Sequence, residues 1–272
     1  MTVSDKSLAQ NLAALLDKIR AERPLVHQIT NYVSVNDCAN VVLAIGGAPV
    51  MADDQNEVED MVAIASALVL NIGTLNSRTV EAMLLAGRQA NRLGKPVIFD
   101  PVGVGATRLR TETARALLHE IKFAIVRGNI SEISALAGNA GTTRGVDASG
   151  AEGNAALVAA RLAEMTGSVV AVTGAVDTIA HTGQLIYVAN GHSMLARITG
   201  TGCMATALTG AFCAVTDDYS LASAGGLVCL GLAGERAAAR HQGIGSFRAG
   251  LLDEVSLLCG RDIAEHGQVH VG

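Results

Sequence analysis

The stretch Arg197-Ile198-Thr199-Gly200-Thr201-Gly202-Cys203-Met204 runs two glycines and a threonine straight into an apolar helical pattern, Met204 to Val215. Residues with little or no side chain let successive backbone N–H groups converge on an oxyanion, and the positive end of the helix macrodipole adds to their pull. Phosphate is the natural occupant of such a turn. A second set of residues bears on the same chemistry. Asp100 follows Val97-Ile98-Phe99; Arg127, Asn129 and Glu132 follow Ala124-Ile125-Val126; Thr173, Gly174 and Asp177 follow Val169 to Val172. A metal-phosphate site needs hard oxygen ligands, a cation and an anion cradle together, and this set and the glycine turn between them supply all three. Each residue also has a plain structural use. Gly200 to Gly202 could simply open a tightly packed helix, Asp100 could be a turn residue before Pro101, Glu132 a first-turn helix residue, and Thr173 a strand-end hydroxyl satisfying backbone.

The elements that carry these residues alternate. Leu25 to Ile29, Leu68 to Ile72, Val97 to Asp100, Ala124 to Val126 and Val169 to Thr173 are nearly continuous in apolar residues, as buried parallel strands are. Helical periodicity fills the gaps, at about Val35 to Ile45, Val58 to Ser66, Ser77 to Leu93, Thr111 to Glu120, Ser131 to Ala137 and Gly150 to Thr166. This rhythm predicts an α/β fold, a central mostly parallel sheet with helices on both faces. Thr178 to His181 and Gln184 to Ala189, joined by Thr182-Gly183, read as an added hairpin. Helices at about Met204 to Val215, Ser220 to Arg240 and Phe247 to Cys259 make the C-terminal third helical. No linker divides the chain, so residues 1–272 read as one domain. In open α/β sheets ligands bind beyond the carboxyl ends of the strands, where the polar residues collect.

Composition excludes several classes. A net charge of −5 with no Lys/Arg cluster argues against a nucleic-acid partner. Half the residues are apolar and 17% are charged, a thin coat for a monomer, so burial against other subunits is expected. Met1 to Glu22 is amphipathic, with Leu8, Leu12, Leu15, Leu16 and Ile19 at helical spacing, and lacks a signal-peptide core. Apolar runs such as Met61 to Leu70 are too short to span a bilayer. Five cysteines without a C-x-x-C pair fit a reducing compartment, and the expectation is a soluble cytoplasmic protein. Cys213, Cys229 and Cys259, and Met61, Met83 and Met165, read as core fillers. Cys203 stands apart, because the first turn of a helix should lower a thiol pKa. His27, after Leu25-Val26, reads as a hydrogen-bonded structural residue.

Two common nucleotide signatures fail. Gly200, Gly202 and Ala205 satisfy G-x-G-x-x-A, but a dinucleotide fingerprint follows a first strand, whereas this turn comes late and leads into helices. Asp217 and Asp218 lie at a suggestive distance but between helices. No G-x-x-x-x-G-K-[ST] occurs.

The ordered set His27-Gln28-Ile29-Thr30-Asn31-Tyr32-Val33, Ala48-Pro49-Val50-Met51-Ala52, Asp100-Pro101-Val102-Gly103-Val104-Gly105-Ala106, Arg127-Gly128-Asn129-Ile130-Ser131-Glu132, Ala171-Val172-Thr173-Gly174 and Gly200-Thr201-Gly202-Cys203-Met204 resembles the hydroxyethylthiazole kinases. The likeness covers nearly the whole chain. It implies a ribokinase-like fold and ATP-dependent, Mg²⁺-assisted phosphorylation of the primary hydroxyl of 4-methyl-5-(2-hydroxyethyl)thiazole in thiamine salvage. It also implies that Met51, Asn31, Val33 and Gly200 contact the thiazole substrate, that Arg127 and Thr173 hold ATP, and that Asp100 and Glu132 organise Mg²⁺. Thr201, Gly202 and Cys203 would lie at the reacting phosphoryl group. The family is similar in being a homotrimer with active sites between subunits. Two other readings are a related small-alcohol kinase, such as one for hydroxymethylpyrimidine, and a non-catalytic nucleotide-binding or Rossmann-type protein. The Asn31 and Met51 segments favour the thiazole. In the wider superfamily the corresponding G-x-G-D turn carries an aspartate base. Here Cys203 replaces it, which implies an auxiliary or positioning part for this residue.

Overall fold

The structure, a computed structural model, describes residues 3–138 and 148–272. In chain order its elements are α1 (Val3–Glu22), β1 (Leu25–Ile29), α2 (Val35–Ile45), β2 (Ala48–Val50), α3 (Val58–Ile64), β3 (Ala67–Asn71), α4 (Ser77–Arg92) and β4 (Val97–Asp100). Then come α5 (Arg108–Glu120), β5 (Ile125–Asn129), α6 (Ile130–Leu136), α7 (Ala148–Thr166), β6 (Val169–Thr173), β7 (Asp177–His181) and β8 (Gln184–Val188). A 3₁₀ turn (Ser193–Arg197), α8 (Thr201–Cys213), α9 (Tyr219–Arg240), α10 (Ile244–Leu257), α11 (Gly260–His266) and β9 (Val269–Val271) follow. The strands form one sheet in the order β2-β1-β3-β4-β5-β6-β7-β8-β9. Pairing is parallel from β2 to β6 and antiparallel from β6 to β9.

Side chains alternate across the pleat and so feed two cores. Val26, Val69, Ile98, Ile125 and Ala171 pack against α1, α2 and α8 to α11. Leu68, Leu70, Phe99, Val126 and Val170 pack against α3 to α7. Because both faces are covered, the strands read as unbroken apolar runs, which is what made them legible.

Helix α8 lies close to the sheet because its middle lacks bulk. A Cβ on Gly210 would come within 2.6 Å of Val69 Cγ2, and one on Gly226 of α9 within 2.6 Å of the Thr209 backbone nitrogen. Close approach on both sides clamps α8, and the clamp carries the glycine turn at its N-terminus.

The fold matches the expected class, with local departures that include the unanticipated helix α11 and a Met61 that is only half-buried. The short strands β2 and β9 were not anticipated: three residues each give no readable period, and Pro49 is tolerated because β2 is an edge strand. Helix α8 begins at Thr201, not Met204, so the turn residues form its first turn. Cys259 is exposed, because α10 ends at Leu257 and Cys259 sits at the start of α11. Met165 is 61% exposed near the end of α7, while Met83 is buried as expected.

Replacing Gly226 by Ala should destabilise the protein by about 1–3 kcal/mol, the usual range for overpacking. Urea unfolding of the variant beside the parent measures it.

Candidate active site

Parallel pairing puts the carboxyl ends of β1, β3, β4, β5 and β6 on one rim. Register brings Asn71 beside Asp100 and Asn129 beside Thr173. The first turn of α8 meets this rim from above. Gly200 caps that turn at φ 90°, a left-handed conformation suited to glycine, and a Cβ there would also come within 2.9 Å of Ser34 Cβ. The first intrahelical bond runs from Met204 N–H to the Gly200 carbonyl at 2.8 Å. The preceding amides of Thr201, Gly202 and Cys203 therefore lack an intrahelical acceptor and form the N-terminal end of the helix dipole.

Asp100 has no exposed surface. Its Oδ2 accepts from Asn71 Nδ2 and from the Thr206 hydroxyl, each at 2.8 Å, and Arg127 Nη1 lies 3.8 Å away. Its Oδ1 has no partner in the protein. Burial pushes the Asp100 carboxyl up to about 6 and the Glu132 charge adds to this, outweighing the downward pull of Arg127, Thr206 and Asn71. Arg127, itself nearly buried, donates to Thr173 Oγ1 at 2.6 Å. Glu132 is the N3 residue of a capping box at the start of α6: its Oε2 accepts from Asn129 N–H at 2.9 Å, and its Oε1 from Gly103 N–H at 2.8 Å. Asp177 accepts from Gly174 N–H at 2.9 Å, and burial pushes its carboxyl up to about 6.

Cys203 Sγ accepts from Asn31 Nδ2 and Asn71 Nδ2, both at 3.2 Å. The expectation of a lowered thiol pKa is reversed. Burial, then the Asp100 charge, push the thiol up, and hydrogen bonds with Ser34, Asn31 and Asn71 offset this only in part. A first-turn position lowers a thiol, but burial raises it, and here burial and a negative neighbour win.

Two clefts open on the rim. One, of about 560 Å³, is lined by Arg127, Thr173, Asp177, Leu195, Thr201, Gly202, Ala205, Leu227 and Leu230. The other, of about 340 Å³, is lined by Asn31, Val33, Ser34, Asp100, Arg127, Glu132, Gly200, Gly202 and Cys203. Arg127 and Gly202 belong to both, so the two spaces meet under the helix N-terminus. A Cβ on Gly202 would come within 2.8 Å of Arg127 Nη1. That glycine therefore makes room for the guanidinium.

Most of the expected site residues converge here, with three refinements. Met51 lies just past edge strand β2, packed against the core, and lines neither cleft. The Thr201 hydroxyl donates to the Leu195 carbonyl at 3.0 Å, which leaves its backbone amide as the group at the turn. Glu132 already binds two backbone amides, so the plain reading of it as a helix-start residue is true as well. Asp218 caps α9. His27 is buried and donates from Nε2 to the Ala52 carbonyl at 2.7 Å, which makes it a structural residue. Among the described residues no cluster of three or more His, Cys, Asp or Glu could cage a metal. The orphaned Asp100 Oδ1 beside Glu132 nevertheless fits Mg²⁺, which takes one or two carboxylates and completes its shell with phosphate and water.

Sequence reasoning missed Asn71, Ser34, Thr206 and Arg110. Asn71 was read as part of an apolar strand, and its position at the strand's carboxyl end was the available signal. Arg110 donates to the carbonyls of Ile72, Gly73 and Val102, each at 2.7 Å, and ties the β3 and β4 loops together. Nothing in its local sequence marks it.

The hydroxyethylthiazole kinase family model matches residues 16–260. The chain belongs to that family. It is 53% identical over 261 residues to a hydroxyethylthiazole kinase of Methanocella arvoryzae, covering 96% of this chain and 98% of the relative. It is 51% identical to one of Ruminiclostridium cellulolyticum, covering 91% and 92%. The solved hydroxyethylthiazole kinase of Pyrococcus horikoshii OT3 superposes with a TM-score of 0.90 at 40% identity, over 97% of this chain and 99% of that one. A pyridoxal kinase of Staphylococcus aureus shares the fold at 15% identity, with a TM-score of 0.63 over 91% and 97%. The ribokinase-like architecture expected for the family is the one observed.

Asp100 ionises less readily folded than unfolded, so the folded state holds an extra proton between about pH 4 and 6, and stability falls as pH rises through that window. In metal-free buffer at pH 7.5, Asp100→Asn should therefore be about 1–3 kcal/mol more stable than the parent while losing turnover. Thermal unfolding at pH 4.5 and 7.5 tests this: the advantage should shrink at the lower pH.

Proposed function

We propose that this chain transfers the γ-phosphoryl group of ATP to the primary hydroxyl of 4-methyl-5-(2-hydroxyethyl)thiazole, releasing ADP and the thiazole phosphate for thiamine synthesis by salvage. The meeting of the two clefts at Arg127 and Gly202 carries the reading. ATP would occupy the larger cleft, its base against Leu195, Leu227 and Leu230 and its phosphates toward Arg127, Thr173 and the turn. The alcohol would occupy the smaller cleft, against Asn31, Val33 and Gly200. This arrangement points the hydroxyl and the γ-phosphate at each other beneath the amides of Thr201, Gly202 and Cys203.

In-line transfer through a loose transition state asks chiefly for positioning and charge stabilisation. Arg127 and the turn amides would stabilise the charge that spreads over the transferring group. Asp100, with Glu132 acting through water, would hold Mg²⁺, which when bound neutralises phosphate charge. Cys203 would touch the alcohol as an auxiliary or positioning group, since early removal of the hydroxyl proton matters little in a loose transition state.

We read residues 1–272 as one kinase domain working in a cytoplasmic homotrimer. Five free cysteines and the absence, among the described residues, of any helix long and apolar enough to cross a membrane support the location. Tyr32, 80% exposed, and Val33, 55% exposed, lie in the loop between β1 and α2, and Leu43, 55% exposed, lies on α2. Association through these apolar side chains would cover them, which supports a homotrimer, and we read its active sites as lying between subunits.

A coupled ADP-release assay should show turnover that depends on the thiazole alcohol, with hydroxymethylpyrimidine a poorer acceptor and no nicotinamide nucleotide bound. ADP release unchanged by the alcohol would overturn the reading. Cys203→Ala should lose less than about 10²-fold in kcat, and Gly202→Ala more, because its Cβ displaces Arg127. A loss near 10⁴-fold in both Cys203→Ala and Cys203→Asp would instead make the thiol an indispensable base.

A further inference from the structure

The Asp100 carboxylate can only accept, and this sets the direction of every hydrogen bond around it. Asn71, 1% exposed, must turn its amide nitrogen to Asp100 Oδ2, 2.8 Å away, because the reverse orientation would set oxygen against oxygen. Its Oδ1 then faces the other way and accepts from Gly73 N–H and Asn31 Nδ2, each at 2.9 Å. Asn31 is fixed in turn, since its Oδ1 takes the N–H groups of Val33 and Ser34 and the Ser34 hydroxyl, all at 3.1 Å. Each asparagine is left with one N–H, and both point at Cys203 Sγ, 3.2 Å from each nitrogen.

We propose that Asn71 is a positioning residue for the phosphoryl transfer, acting through Cys203: it carries the polarity of the buried Asp100 to the sulfur and holds it with two N–H donors. A neutral thiol has two lone pairs. With both taken, the only direction the sulfur can offer the alcohol cleft is its own S–H, or a third lone pair once the proton has left. Either way one direction of the sulfur is left, and it is shared between the Ser34 hydroxyl and the substrate hydroxyl in the same cleft. Without the Asn71 donor the sulfur gains a second free direction and the hydroxyl loses its fixed partner. Asn71 lines neither cleft, so it does this without touching substrate. The kinetic part of this proposal rests on the functional reading above; the hold on the sulfur does not.

The test is a double-mutant cycle with Asn71→Leu and Cys203→Ala, read as kcat and KM with ATP and the thiazole alcohol. In the parent, Asn71→Leu should lower kcat at least about tenfold with KM for ATP unchanged, and in the Cys203→Ala background less than about threefold, because coupled residues are not additive. Equal losses in both backgrounds would overturn the action through Cys203. A substrate-free readout is the alkylation rate of Cys203 by iodoacetamide at pH 8, followed by peptide mass spectrometry. Loss of a donor to the sulfur should slow it at least about threefold, since the thiolate is the reacting form. An unchanged or faster rate would overturn the hold on the sulfur even if no acceptor alcohol were turned over. Should Asn71→Leu fail to fold, Asn71→Ser serves in both measurements: its single proton is claimed by Asp100, leaving the sulfur without that donor.

Discussion

A carboxylate with no exposed surface stands at the end of β4, and the rim of the sheet is organised around the cost of keeping it there. An isolated buried charge is expensive unless paired and hydrogen-bonded. Asp100 takes its stabilisation from three directions: Asn71 along the sheet, Thr206 from α8, and Arg127 from β5. These contacts lock α8 to the strands at the place where its first turn opens onto both clefts. One oxygen is left unpaired at the edge of a cleft. A neutral group there would make a more stable fold, which is why we read Asp100 as a functional residue.

Around this charge the glycines have separate tasks. Gly200 supplies a left-handed cap pressed on Ser34, Gly202 clears the space of the Arg127 guanidinium, and Gly210 and Gly226 let α8 sink between sheet and α9. The turn is therefore more than a loop of small residues. It is a helix end brought close to the Arg127 cation of β5, and close packing further along the helix lets it come there.

The strands were readable because parallel β-structure buried on both faces must be continuously apolar, and the polar residues at their ends stood out against it. Asp100, Arg127 and Thr173 were found this way. Asn71 was passed over because it closes the same kind of run without a charge to mark it. The short strands β2 and β9 escaped because three residues carry no period. Met51 was assigned through family likeness, and within one chain it stays outside both clefts.

Sequence alone determined the class of fold, the family, and the chemistry available at the rim, because those depend on residue type and order along the chain. It also showed that a cysteine stands where an aspartate would be expected. Only the tertiary structure decided the condition of that cysteine. A first-turn position argued for a lowered thiol pKa, yet burial and the Asp100 charge, from a strand about a hundred residues earlier, reverse it. Electrostatic environment is set by what lies within a few ångströms in space, and linear order does not carry that distance.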